Sequence, residues 1–384
     1  MSDVRTEVVA QLAALVAAPS PTPPGNTSIV CQRIADALRN AGYAVSTHSR
    51  MPGVDNVVAQ LGSGAPVLAF NSHIDTVAPG SGWATDPYTL TPLAGGRHAG
   101  LGAVNCKGSA AAQLWVAQAV ARAGGPQRGT LVFSFAGDEE RLGPDGTQFL
   151  ADAGHLKPAM LVMAAPTSNT LMVEERGVLW ARLTTTGRAA HAGDPSAGDN
   201  AVLRMARLLG RLEQFAAAVL TERSLGAHHS TLNIGTIAGG ANTNVVPDQC
   251  VVTLDRRLLP GEENVEAALR EMQQVLDAAA EPAGTWQLEP ITGTNGFRMS
   301  PEQPLVRAFG AAVERVTKRA AEFRVPVGAS DARFLSDSGA QIVIFGPGDD
   351  RQGHAANESV HEDDLVTACQ IQFEVVRELL GVKA

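Results

Sequence analysis

Three short segments of this chain carry side chains able to hold a metal ion and move protons. His73 and Asp75 stand in Asn71-Ser72-His73-Ile74-Asp75-Thr76-Val77, Asp138, Glu139 and Glu140 are consecutive, and His354 follows the turn Gly346-Pro347-Gly348. An imidazole with a carboxylate two residues later suits an arrangement in which the acid orients the ring. Adjacent glutamates in a dry site can divide labour, one binding a metal and the other transferring protons. Cys106 adds a thiol beside Asn105. A cysteine entering a helix is more often inert packing than a nucleophile.

Each segment follows a short apolar run, at 67–70, 131–135 and 342–345, and a fourth run covers 161–165. Runs of four to six apolar residues ending in polar or turn residues read as buried parallel strands. Helical spacing marks Val4 to Val16, Val30 to Leu38 before Gly42, 108–123 and 366–380, with a proline-rich loop at Pro19, Pro21, Pro23 and Pro24. Strands alternating with helices imply an α/β domain with a mostly parallel sheet. Ligands of such sheets collect beyond the carboxyl ends of the strands, so the three segments are expected on one sheet edge.

The rhythm changes in the middle of the chain. Strands are expected at 178–186, 231–237, 249–258 and 286–290, with a helix at 199–215 and another through Val265, Leu269, Met272 and Leu276. The order β-α-β-β-α-β is that of a ferredoxin-like unit. The expected organisation is a catalytic α/β domain over 1–175 and 292–384, with an inserted lid and dimerisation domain over 176–291. A free sheet edge and an apolar face on that insertion predict a homodimer.

Composition narrows the function classes. Of 384 residues, 45% are hydrophobic and 18% charged, which excludes global disorder. Thirty Lys and Arg against 39 Asp and Glu leave a net charge of −9, with no long basic run, so nucleic-acid binding through phosphates is not expected. Cys31, Cys106, Cys250 and Cys369 are scattered and form no CxxC pair, which fits a reducing cytoplasm rather than a disulfide scaffold. No secretion-type leader and no run of eighteen apolar residues is present in the sequence, so a cytoplasmic protein without a membrane partner is expected.

The sequence resembles the di-zinc amidohydrolase and exopeptidase superfamily of acetylornithine deacetylase, succinyl-diaminopimelate desuccinylase, aminoacylase and the glutamate-releasing carboxypeptidases. The likeness spans nearly the whole chain. It rests on His73-Ile74-Asp75-Thr76-Val77, Gly100 to Gly108 (against G-x-G-A-x-D-x-K-G) and Asp138-Glu139-Glu140. Gly187-Arg188-Ala189-Ala190-His191, Asn242, Arg257-Leu258-Leu259-Pro260, Ser330 to Phe334, and His354 with Asn357-Glu358 follow in the family order. The resemblance implies that His73, Glu140 and His354 bind metal and that Glu139 is the general base, with Asp75 orienting the site. It implies that His191 stabilises the oxyanion, closing over the site from the lid, and that Arg257 and Asn242 grip a substrate carboxylate. Arginine's planar fork suits that task.

Two positions depart from the pattern. The family's metal-bridging aspartate is Asn105 here, and the second ion's glutamate is Ala165. Two divalent ions would then face too little negative charge, and burying unpaired charge costs several kcal/mol per ion. One divalent ion is therefore expected at Glu140 and His354, with the Asn105 oxygen or His73 helping, zinc first with manganese or cobalt as alternatives, and Asn105 is also a candidate substrate contact. A metal-free pocket stays open. The expected activity is hydrolysis of an amide-type bond in a small carboxylate-bearing N-acylated amino acid. Acid–base isomerisation, cyclisation or elimination is the alternative, with a non-catalytic binder as a third reading.

Overall fold

A computed structural model describes residues 3–23, 25–141, 143–325 and 328–383; Pro24 of the proline-rich loop lies outside them. The chain divides into two compact units, Met1–Val173 with Met299–Ala384, and Glu174–Arg298.

The first unit is built on a six-stranded sheet in the order Ala44–His48, Asn56–Ser63, Gly129–Ala136, Val67–His73, Met160–Met163, Gln341–Ile344. The three pairings among the last four strands are parallel, and the two involving the first pair are antiparallel. Gly129–Ala136 is buried along its full length, as a central strand covered on both faces must be. Helix Lys107–Arg122 buries twelve of its residues and packs against helices Val4–Val16 and Glu362–Leu380. Its alanines permit this close approach. Gly108 is required there, since a Cβ would meet the Ala103 carbonyl oxygen at 2.4 Å.

The chain leaves Val67–His73 for a neighbour on one side, Gly129–Ala136, and then for Met160–Met163 on the other. His73 therefore stands at a topological switch point, where open α/β sheets place their ligands.

The second unit has a four-stranded antiparallel sheet, ordered Thr231–Gly239, Gln249–Leu258, Gly177–Thr186, Trp286–Thr294. Helices Ala201–Phe215 and Val265–Asp277 cover it and share a core of Leu179, Leu183, Met205, Leu208, Leu212, Val252, Leu254, Met272 and Leu276. This is a βαββαβ unit. The first helix starts two residues later than the periodicity predicts, because the Asn200 side chain accepts from the Val202 and Leu203 N–H groups and caps it. The last strand runs to Thr294 rather than 290, and Phe297–Arg298 pairs with Glu174–Glu175, so this unit reaches beyond the expected 176–291 at both ends.

Candidate active site

His73 ends its strand directly opposite Ala136, and Glu139 and Glu140 follow that partner by one turn. Asp138 makes the turn with φ 71°, its Oδ2 accepting the Asp145 N–H at 3.1 Å. Asp75 is fully buried and gathers the arrangement. Its carboxylate accepts from Glu139 N at 3.3 Å and Glu140 N at 3.1 Å, and its carbonyl oxygen lies 3.1 Å from His73 Nδ1. With Nδ1–H donated to that carbonyl, Nε2 is the ring nitrogen facing the site.

His73, Glu139 and Glu140 each offer one ligand atom, and these atoms lie within 4.8 Å of one another. Burial pushes the Glu139 carboxyl up to about 8, against the pull of His73. Burial alone would lower the His73 pKa, but Glu139 and the Asp75 hydrogen bond outweigh it and carry it well above the ordinary value. Both shifts describe a pocket that compresses charge and holds protons where a cation would relieve them. One neutral and two anionic donors suit one divalent ion.

A second ion does not fit. Asn105 Nδ2, Glu140 Oε1 and His354 Nε2 form a triangle with sides of 3.0, 2.9 and 3.0 Å. An aspartate at the first corner would offer oxygen lone pairs. The amide nitrogen offers two hydrogens and no lone pair for a metal. Asn105 Oδ1 meanwhile lies 3.3 Å from His73 Nε2, so one amide touches three site side chains. Ala165, past the end of Met160–Met163, has no donor to supply.

His354 lies in a half-exposed loop position with φ 64°, and its hydrogen bond to Glu140 raises its pKa. It is paired with Glu140 but stands outside the three-residue group. Asp331 is buried 3.8 Å from Arg333, at the start of the 3-10 segment Asp331–Ser338, and burial raises its pKa.

Residues 69–378 match Peptidase family M20/M25/M40. The chain belongs to this family. It is 30% identical over 397 residues to acetylornithine deacetylase of Myxococcus xanthus, covering 99% of this chain and 100% of that protein. It is 31% identical to succinyl-diaminopimelate desuccinylase of Xanthobacter autotrophicus, over 88% and 90% of the two chains. Its fold is shared with a tripeptidase of Staphylococcus aureus, with a TM-score of 0.78, 22% identity and 98% and 99% of the chains covered. A dinuclear metal-binding peptidase of the M20 family from Bacillus subtilis aligns with a TM-score of 0.74, 16% identity and 99% of each chain.

This M20 chain is an amidohydrolase-like enzyme with one candidate cluster for a divalent metal, His73, Glu139 and Glu140, among the described residues. The remaining expected site residues lie in the second unit. The His191 and Asn242 segments meet there: Ala192 N donates to Asn244 O at 3.0 Å, and His191 pairs with Val245 as an isolated bridge. Ala192, Asn200, Asn242 and Val246 help line a cleft of about 610 Å³. Arg257 is fixed by Asp255, donating from Nε at 2.8 Å and Nη2 at 3.0 Å, and Trp180 donates to the same carboxylate at 2.7 Å. Arg256 points the other way, fully buried and bonded to Glu263 at 2.6 Å.

Sequence reasoning placed Lys107 and Glu358 within the family motifs but gave neither a role, and the structure buries both beside the Asn105 turn. One signal was present. A lysine in the first turn of a helix opposes the helix dipole, so it needs another reason to be there.

Proposed function

We propose that this chain hydrolyses an amide-type bond in a small N-acylated amino acid bearing a carboxylate, using one divalent ion, zinc in the first instance. The observation that carries this reading is the His73–Glu139–Glu140 group at the sheet's switch point. The names of the acetylornithine deacetylase and desuccinylase relatives support the substrate class.

In this reading His73 and Glu140 would hold the ion with His354 beside Glu140, which leaves Glu139 for proton transfer. When bound, the ion polarises the scissile carbonyl and makes a water more acidic. Glu139 takes a proton from the attacking water at a carboxylate oxygen and returns it to the leaving nitrogen. Asp75 keeps His73 Nε2 facing the site. Asn105 holds Glu140 and offers its amide to the substrate. By motif match, His191 stabilises the oxyanion, and Arg257 with Asn242 receives the carboxylate.

The test is release of free amine from N-acetylornithine, N-succinyl-diaminopimelate and a panel of N-acyl amino acids, with zinc, manganese or cobalt supplied in turn. Turnover with at least one pair is predicted. Failure of every combination contradicts the reading. The Asn105 triangle also favours a second reading, metal-free acid–base chemistry on a carboxylate substrate. Activity that survives exhaustive chelation would select it.

We further infer a cytoplasmic homodimer, without nucleic acid or membrane as partner. Four buried free cysteines support the compartment. The edge strand Thr231–Gly239, with Ile234 41% and Ile237 61% exposed, supports the dimer. Sedimentation velocity at micromolar concentration tests the dimer, and a monomer throughout contradicts it.

A further inference from the structure

Glu358 has no part in the reaction above, yet only 2% of it is exposed. Its carboxylate accepts three backbone N–H groups: Gly102 at Oε1, and Val104 at 3.3 Å and Asn105 at 3.4 Å at Oε2. Its carbonyl accepts a fourth, from Gly100 at 3.2 Å. All four belong to the turn that delivers Asn105.

The other end of the connection is the 354–358 segment. Glu358 N donates to Ala355 O at 3.2 Å, which folds this segment into a turn carrying His354. Asn357 anchors it again, accepting from Ala84 N at 2.7 Å and donating to Gly82 O at 3.0 Å. The two turns meet at the site itself, where Asn105 Nδ2 lies 2.9 Å from His354 Nε2.

A buried carboxylate is costly unless hydrogen bonds occupy its lone pairs. A backbone carbonyl could satisfy the same N–H groups at lower cost. A side chain 253 residues along the chain from Asn105 does something a local turn cannot, because it joins two distant segments. Lys107 completes the environment, buried with its Nζ donating to Ala18 O at 2.8 Å. Burial pushes the Glu358 carboxyl up to about 7 against its backbone hydrogen bonds, and the Lys107 amine down to about 7 against the pull of Glu358 and Asp75.

We propose that Glu358 is a positioning residue: it locks the Asn105 turn to the His354 loop and thereby sets the Asn105–Glu140–His354 triangle. Glutamine replaces it poorly, because its fixed amide N–H groups would face backbone N–H donors at every pH, whereas the carboxyl loses its single proton as pH rises past about 7. The proposal uses the single-metal reading for one of its two readouts.

Glu358→Gln, Asn105→Ala and the double variant are compared in the full chain by cobalt(II) titration, following visible absorption, with Tm as the check on folding. Glu358→Gln is predicted to weaken cobalt binding about tenfold and to shift the absorption bands, as loss of an outer hydrogen-bond partner does. In the Asn105→Ala background it is predicted to add nothing, since its effect passes through Asn105. An equal effect in both backgrounds overturns the proposal, and so does no effect in the native background. The second readout is native-state hydrogen exchange of the unsubstituted chain. The Gly102, Val104 and Asn105 amides are predicted to exchange slowly and together, and unprotected exchange overturns the proposal. If Glu358→Gln does not fold, exchange decides. A native chain that takes up no cobalt contradicts the metal reading instead, and exchange again decides the role of Glu358.

Discussion

Asn105 donates an amide hydrogen to Glu140 across 3.0 Å, at the position matching the family's metal-bridging aspartate. A hydrogen bond thus joins groups that relatives of the di-zinc type would join through cations. The exchange lowers the charge demand of the pocket. Glu140 keeps a donor at one oxygen, and its remaining lone pairs face the one-ion group that it forms with His73 and Glu139.

Asp75→Asn is predicted to weaken metal binding 10–100-fold, because it removes the acid that holds the metal-facing groups from behind. Asp75 accepts from the backbone of both glutamates, and its amide replacement would turn a donor toward those N–H groups. Competition with a chromogenic chelator measures the change. Affinity equal to that of the native chain contradicts this role.

Arg256→Ala is predicted to destabilise the second unit by about 1–3 kcal/mol, the usual cost of leaving buried polar groups unsatisfied, because Glu263 keeps Arg223 at 3.0 Å. Arg256 is fully buried and bonds Glu263, Ser230 and the Arg257 carbonyl. Denaturant unfolding read by circular dichroism gives the value. A loss below about 1 kcal/mol contradicts the assignment, since that is the range of exposed pairs.

The Glu358 carboxyl predicts a pH signature in stability. Its pKa rises from the ordinary 4.5 to about 7 through burial, with His354 pulling it down and Lys107 facing it. Below pH 4.5 it is protonated in folded and unfolded chains alike. From there to about 7 only the folded chain keeps the proton, so stability falls with rising pH by at most about 1.4 kcal/mol per unit. Lys107, lowered by burial from 10.5 to about 7, acts in the opposite sense, and stability recovers as pH climbs from 7 toward 10.5. Glu358→Gln is predicted to flatten the acid limb, measured by denaturant unfolding at half-unit intervals. An acid limb of unchanged slope contradicts the buried-acid account.

Much of this arrangement is legible in the residues. The apolar runs at 67–70 and 131–135 mark the strands that deliver His73 and the glutamates. Val67–His73 extends three residues past its run because Asn71 is buried and bonded to Ser134 and Thr147, a polar satisfaction that hydrophobic pattern cannot register. Ala44–His48 is harder to read, since it is a largely exposed edge strand with little apolar signal. At the site, residue type and strand-end position point to His73, Glu139 and Glu140. Which side chains Asn105 bridges depends on how three distant loops meet. The burial of Lys107 and Glu358 is likewise a tertiary fact, because charged residues enter a core only where partners from elsewhere in the chain await them.

Metal stoichiometry tests the central claim most directly. The native chain and the double variant Asn105→Asp with Ala165→Glu are each saturated with zinc, freed of excess and measured by elemental analysis per folded chain. The account predicts about one ion in the native chain and about two in the variant, whose added carboxylates supply the missing lone pairs and charge. Two tightly held ions in the native chain would contradict it.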